Sequence, residues 1–312
     1  MLNKICIGTR GSELALWQTY HVKKLLEACF SDIVVDVEMI KTTGDKILDA
    51  PLAKIGDKGL FTKELEIALL DNRVDIAVHS LKDVPTLVPE GLTIAAVLER
   101  EDVRDVFIAN PKKSHQAFVG LPKNAMIATG SLRRKCQLLN ARPDLQIAEI
   151  RGNLNTRIEK LDSSDWDGMI LAKAGVSRLG WAQRITEILP FEIMLPAVGQ
   201  GALAIECRSN DSRIQEMLHP LHHTPTAIAV TAERALLRYL EGGCQIPIGA
   251  YGQISGNEIY LNAVVGSLDG KLLVRGRSKG IISNAEQTGI DVAKDLLQRG
   301  AKEILEEIRK TI

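Results

Sequence analysis

Apolar and polar positions along this chain follow two periods, and the switches between them mark out its elements. Ile5-Cys6-Ile7 is a short apolar run suited to a strand, and Glu13 to Phe30 then carries Leu14, Trp17, Leu25 and Cys29 at helical spacing. Ile33 to Ile40 reads as the next strand. A polar, glycine-containing stretch from Lys41 to Gly59 follows, too long for a simple connection and of the kind that forms lids or stays disordered. Leu60 to Leu70 has helical spacing, and Val74 to Val78 and Leu92 to Leu98 are strand-like. Glu99-Arg100-Glu101-Asp102-Val103-Arg104-Asp105 is a charged break and the expected crossover between two lobes.

The alternation then restarts. Strands are predicted over Ala125 to Thr129, Leu145 to Ile150 and Gly168 to Ala172, with helices over Ser131 to Asn140 and Asn153 to Leu161. Leu203 to Cys207 is one more buried strand, expected to return to the first lobe. After about Asn210 the texture changes. A long helix from Thr226 to Glu241 precedes a meander in which Glu258 to Val265 and Lys271 to Gly276 flank Ser267-Leu268-Asp269-Gly270, a hairpin signal. Helices from Asn284 to Gln298 and Ala301 to Lys310 close the chain. The pattern predicts an α/β protein of two similar lobes of mixed sheet with flanking helices, followed by a small α+β domain. The expected domains are 1–99 with 200–215, then 100–199, then 216–312. Ile7-Gly8-Thr9-Arg10-Gly11-Ser12 and Ile127-Ala128-Thr129-Gly130-Ser131-Leu132-Arg133 echo one another, each bringing a hydroxyl N-cap to a helix start beside arginine. Two lobes of similar build facing one cleft account for that echo.

Composition narrows the function. The 312 residues are 45% hydrophobic and 25% charged with zero formal net charge, as in an ordinary globular protein. Nothing in that balance supports a nucleic-acid or polybasic membrane role. No apolar run reaches transmembrane length, and the start Met1-Leu2-Asn3-Lys4-Ile5 lacks a signal peptide's apolar core, so a cytoplasmic protein is expected. The five cysteines are widely spaced with no Cys-x-x-Cys pair, which argues against a disulfide framework or zinc site. His219, His222 and His223 cluster near prolines without partner ligands, so no metal is expected.

Cys244 stands apart from the other cysteines. It lies in Gly242-Gly243-Cys244-Gln245-Ile246-Pro247-Ile248-Gly249, where two glycines are expected to end the helix with left-handed backbone angles and Pro247 fixes the far side. A thiol held out on a tight loop suits a cysteine that carries something. Arg10, Arg133, Arg134, Arg151 and Arg157 stand at or near helix starts that follow predicted strands, where free N–H groups and arginine forks favour carboxylate or phosphate. In open α/β sheets, ligands bind beyond the carboxyl ends of strands. His79-Ser80-Leu81-Lys82-Asp83-Val84-Pro85-Thr86 occupies another such end. Asp83 there reads equally as a catalytic acid or as a turn-bracing residue before Pro85. A binding protein for anionic metabolites and a phosphate-ester transferase are the rival classes. An absent signal sequence counts against the first, and an unexplained Cys244 against the second.

These segments resemble one family in order and in detail. Glu233-Arg234-Ala235-Leu236-Leu237-Arg238 through Gly242-Gly243-Cys244-Gln245-Ile246-Pro247-Ile248-Gly249-Ala250 resembles the cofactor-attachment signature of the hydroxymethylbilane synthases, also called porphobilinogen deaminases. Gly8 to Ser12, Val78 to Thr86, Gly130 to Arg134 and Arg151-Gly152-Asn153-Leu154-Asn155-Thr156-Arg157 resemble the family's other blocks. The resemblance implies two periplasmic-binding-protein-like lobes and a third domain bearing the cysteine. It implies a monomeric transferase that joins four porphobilinogen molecules head to tail with release of ammonia, giving a linear tetrapyrrole. A dipyrromethane cofactor, thioether-linked to Cys244, primes the chain. On this resemblance, Lys82, Asp83, Thr129, Ser131, Arg133, Arg134 and Arg157 hold the cofactor, and Asp83 with Lys82 serves catalysis. Arg10, Ser12, Ser80, Arg151, Arg157 and Arg178 meet substrate carboxylates, with Lys58 and Phe61 at the end of the lid. Arg309, far from every junction, is an arginine expected to matter to neither task.

Overall fold

A computed structural model describes residues 4–46, 59–114, 117–242 and 246–311. They fall into two compact units, the first from 4–46, 59–101 and 201–227, the second from 102–114, 117–200, 228–242 and 246–311.

The chain opens with β1 (Lys4–Thr9), α1 (Glu13–Cys29), β2 (Val34–Met39), the single turn α2 (Thr43–Lys46), α3 (Lys63–Leu70), β3 (Ile76–Ser80) and β4 (Leu92–Val97). It then enters the second unit with β5 (Asp105–Ala109), β6 (Met126–Ala128), α4 (Leu132–Ala141), β7 (Gln146–Ala148), α5 (Leu154–Ser163), β8 (Gly168–Ala172), α6 (Lys173–Arg178) and β9 (Glu187–Ile188). β10 (Leu203–Arg208) and α7 (Ser212–Leu218) belong to the first unit. The long helix α8 (Thr224–Tyr239), strands β11 (Ile248–Ser255), β12 (Glu258–Gly266) and β13 (Leu273–Ile281), and helices α9 (Ala285–Leu296) and α10 (Lys302–Thr311) complete the chain.

The first unit's sheet runs β2-β1-β3-β10-β4 and the second unit's runs β7-β6-β8-β5-β9. Strand for strand they share one plan. β1 is parallel to β2 and β3 while β10 is antiparallel to β3 and β4, and β6, β7, β8, β5 and β9 repeat those senses. The central strands are apolar on both faces, because helices cover both sides of such sheets. Ile76, Ala77 and Val78 in β3 and Met169, Ile170 and Leu171 in β8 are buried accordingly. The repeat explains the sequence echo: Ser12 and Ser131 are the N-caps of α1 and α4, each following the strand that lies second in its sheet, β1 or β6.

The third sheet, β11-β12-β13, is an antiparallel meander in the second unit. Along β12, Ile259, Leu261 and Ala263 are buried while Tyr260 is exposed, the alternation of a sheet with one covered face. The covered face packs on α8, α9 and α10 through Leu236, Leu240, Val292, Leu296, Ile304 and Ile308. Gly270 at φ 72° closes the β12–β13 hairpin at the predicted Asp-Gly, and its carbonyl accepts from Asn140 Nδ2 at 2.9 Å. No helix among the described residues is long and apolar enough to cross a membrane.

Two departures from the sequence reading matter for function. Residue 105 does not end a charged break but starts β5, whose Val106, Phe107 and Ile108 are fully buried. Also, Gly242 does not adopt a left-handed angle. Glu241 does, at φ 51°, and Gly242 follows it, packed close to the Leu237 and Ile248 side chains.

Candidate active site

In the first unit, parallel pairing of β1 and β3 brings the residues after Thr9 and after Ser80 to the same edge of the sheet. Arg10 leaves that edge. Its guanidinium lies over the Phe61 ring, 4.2 Å from the centroid, and donates from Nε to Asp45 Oδ2 at 3.2 Å. Thr42 Oγ1 donates to the same oxygen at 2.7 Å. Burial pushes the Asp45 carboxyl up, but the hydrogen bonds from Arg10 and Thr42 outweigh it and hold the group below the ordinary aspartate range. Ser12 Oγ caps α1 by accepting from the Ala15 amide at 3.3 Å.

Ser80, the last residue of β3, accepts from Gln18 Nε2 at 2.8 Å, which ties the strand end to α1. One residue earlier, His79 is buried and its Nε2 lies 3.1 Å from Glu206 Oε2 on β10. Beyond Ser80 the chain makes a single 3₁₀ turn, Leu81–Asp83, closed by the Val84 amide on the Leu81 carbonyl at 3.1 Å. Leu81 is buried beneath it, and Lys82 and Asp83 are half-buried. Among the described residues, no hydrogen bond or ion pair reaches the Asp83 carboxylate.

In the second unit, β6, β7 and β8 are parallel, so the segments following them share an edge. Thr129 is buried, with its amide on the Ala148 carbonyl at 2.9 Å and its Oγ1 accepting from the Ser131 amide at 3.2 Å. Gly130 between them passes so near β7 that a Cβ would sit 2.5 Å from the Ile150 carbonyl oxygen. Arg157 donates from Nε to the Gly152 carbonyl at 2.8 Å, which draws the start of α5 back over the preceding loop. Arg178, in the last turn of α6, is buried. Arg151 is half-buried, and its NH1 nitrogen has neither solvent nor a hydrogen-bond acceptor among the described residues. A buried guanidinium nitrogen without an acceptor is costly, and a ligand carboxylate satisfies it.

Arg133 and Arg134, expected at a helix start that binds anions, stand in the first turn of α4 and meet an internal carboxylate. Both are buried, and both bond Asp105. Arg133 NH1 donates to Asp105 Oδ2 at 2.7 Å and to the Leu195 carbonyl at 2.6 Å. Arg134 donates to Asp105 Oδ1 from NH2 at 2.8 Å and to the Ile170 carbonyl from NH1 at 3.1 Å. Gln200 Nε2 adds a further bond to Asp105 Oδ1 at 3.0 Å. Two guanidiniums thus share one carboxylate, and the cluster keeps a positive excess. Burial alone would raise Asp105, but the two arginines overcome it and hold it at about 2. Asp105→Asn is expected to lower stability at neutral pH by about 3–5 kcal/mol, because it strands buried cations. Since the folded value lies below the unfolded one, the wild-type advantage is present above about pH 4 and fades as the pH falls toward 2. Urea melts of both proteins across that range check this, and equal stability at pH 7 would refute it.

Lys58 and Cys244 lie outside the described residues. His222 Nδ1 accepts from the Val97 amide at 3.3 Å and His223 Nδ1 lies 2.8 Å from Thr226 Oγ1. Asp45, Asp105, Gln18 and Gln200 were not singled out by the sequence reading. Each has a partner at least 35, 28, 62 or 95 residues away, and no local motif announces such pairings.

Each α/β sheet carries charged residues beyond its parallel strands, Arg10 and Asp83 in the first unit and Arg151 and Arg157 in the second, the placement of ligand-binding groups in enzymes and binding proteins built on open α/β sheets. Residues 5–216 match the family model described as porphobilinogen deaminase, dipyromethane cofactor binding domain, and residues 227–298 match the porphobilinogen deaminase C-terminal domain. Curated porphobilinogen deaminases from Desulforamulus reducens and Carboxydothermus hydrogenoformans are 52% and 53% identical to the chain, each over 99% of both sequences. Among solved structures, a probable amino-acid ABC transporter extracellular-binding protein from Bacillus subtilis is similar with a TM-score of 0.41 at 12% identity, covering 71% of this chain and 90% of that one. The chain belongs to the porphobilinogen deaminase family. It is a transferase that condenses four porphobilinogen molecules into the linear tetrapyrrole hydroxymethylbilane and uses a dipyrromethane cofactor. The donor set fits that cofactor, whose pyrroles each carry an acetate and a propionate: the Arg133–Arg134–Asp105 cluster sets two guanidiniums against one carboxylate and so has positive charge to spare.

Proposed function

We propose that the dipyrromethane is thioether-linked to Cys244 and that Asp83 is the residue on which the condensation turns. The observation that carries this is the half-buried Asp83 carboxylate, held on a rigid turn with no cation opposite it among the described residues. Loss of ammonia breaks the carbon–nitrogen bond of the aminomethyl group and leaves a cationic azafulvene-like electrophile. A fixed carboxylate beside it stabilises that charge without reorganising, and can hold the pyrrole N–H protons and take up the ring proton released when the carbon–carbon bond forms. When bound, the cofactor supplies the terminal pyrrole carbon from which the chain grows. Thr129, Ser131, Arg133, Arg134 and Arg157 hold its carboxylates, together with Lys82. Arg10, Ser12, Ser80, Arg151, Arg157 and Arg178 bind those of substrate, and Phe61 and Lys58 close over them. The stacking of Arg10 on Phe61 and the open NH1 of Arg151 support these roles. The enzyme works as a cytoplasmic monomer of three domains, 1–99 with 200–215, 100–199 and 216–312, a division supported by its three sheets.

Protein made in cells that synthesise porphobilinogen is expected to exceed its sequence mass by two pyrrole units, with the adduct on the peptide containing Cys244. The same preparation consumes porphobilinogen and releases a linear tetrapyrrole, read by product mass. An unmodified intact mass would rule out the attachment, and a modified protein without product would rule out the assigned chemistry.

A further inference from the structure

Helix α8 ends just ahead of Gly242-Gly243-Cys244, and its end is built unusually. The Gly242 amide donates to the Leu237 carbonyl at 2.8 Å and the Glu241 amide to the Arg238 carbonyl at 3.0 Å, the bond pair that closes a helix around a left-handed residue. That residue is Glu241, at φ 51°. The other non-glycine residues at positive φ among the described residues are Asn72 and Asn124, and asparagine tolerates this region where glutamate does not. A side chain is therefore kept at position 241 against the backbone's preference.

Its partner is Arg309 of α10. Arg309 NH2 lies 3.2 Å from Glu241 Oε2 and donates to the Leu240 carbonyl at 2.8 Å. That carbonyl belongs to the set a helix end leaves without intrahelical donors, and a cation there also opposes the negative end of the helix dipole. Yet Glu241 is 77% exposed and Arg309 41%, and exposed ion pairs add little to stability. Strain retained for so small a stabilising contact points to what lies next along the chain. The family's C-terminal model stops at residue 298, so Arg309 lies past its reach.

We propose that Arg309 and Glu241 are positioning residues for the cofactor cysteine. Arg309, seated on the Leu240 carbonyl, holds Glu241 in the left-handed turn and so sets the direction in which the chain leaves α8 toward Cys244. This departs from the expectation that Arg309 serves no part of the site, and it rests on attachment of the cofactor at Cys244. The test uses full-length Glu241→Gly, Arg309→Met and Arg309→Lys, prepared without cofactor, and follows their mass gain on adding porphobilinogen. Glu241→Gly and Arg309→Met are expected to load about tenfold more slowly than the parent, the scale of a small misplacement of a reacting group. Arg309→Lys is expected to load near the parent rate, since lysine still donates to the Leu240 carbonyl. The Tm of Glu241→Gly stays equal to or above the parent's, because glycine relieves the strained angle. Parent-like loading in both slow variants would overturn the proposal. So would a fall in the Tm of Glu241→Gly, which would make the pair a simple prop for the helix end. A parent that gains no mass overturns the attachment itself, and the two failures are thus told apart.

Discussion

Cys244→Ala protein is expected to leave cells with the mass of its own sequence and to release no tetrapyrrole. Alanine offers no sulfur for a thioether, and the remaining cysteines are poor substitutes. Cys136 and Cys207 are fully buried, and burial pushes their thiols up to about 12 and about 11, so neither supplies a thiolate at neutral pH. Cys6 is half-buried, and burial raises its thiol too. Cys29, exposed at the last turn of α1, is the one described cysteine open to reagents, so Cys29→Ser is the informative control and is expected to keep both adduct and activity. Cys136→Ala and Cys207→Ala should cost packing stability alone. Intact mass and product assay on all of these decide the matter. An adduct surviving in Cys244→Ala would move the attachment elsewhere.

Asp83→Ala is expected to lower the rate of condensation by about a hundredfold or more, the usual consequence of removing a fixed charge from a site where the opposite charge develops. Binding of the substrate carboxylates should survive, because the arginines and Cys244 are untouched. Asp83→Glu keeps the charge but shifts it by about one methylene, so partial activity with long-lived enzyme–substrate intermediates is expected. Single-turnover reactions followed by mass spectrometry resolve those intermediates one pyrrole at a time. A near-normal rate in Asp83→Ala would reduce the residue to a brace for the turn before Pro85. The geometry already gives that turn another closure, the Val84 amide on the Leu81 carbonyl.

Much of the architecture was legible because it is written in short-range patterns. Central strands such as β8 are continuous apolar runs, and helices such as α1 carry apolar residues at turn spacing after a serine. Ser12 and Ser131 could be named as caps from sequence since a cap acts on amides three residues away. Asp269-Gly270 announced its hairpin for the same reason. What failed locally was instructive. Asp105 looked like the tail of a charged break, and β11 passed unread because Gly249 and Gly252 dilute its strand character. At the end of α8, glycine was expected at the left-handed position and glutamate occupies it. The bias toward glycine there is intrinsic to the backbone, and the contact Glu241 makes comes from Arg309 in another helix, with NH2 3.2 Å from Oε2.

By itself, then, the sequence determined the order of most elements, the repeated strand–cap–helix junctions, the separate C-terminal meander, and the family through motifs that each span a few residues. These depend on neighbours along the chain. Only the tertiary structure decided which charges stand opposed. Parallel strand pairing and an inserted β5 bring Asp105 between Arg133 and Arg134, Asp45 onto Arg10, and Arg309 onto the end of α8, while Asp83 is left with no described partner. Charge pairing depends on distance in space and on burial. Composition and spacing show which charges exist but carry no information about which of them the fold will neutralise and which it will leave for a ligand.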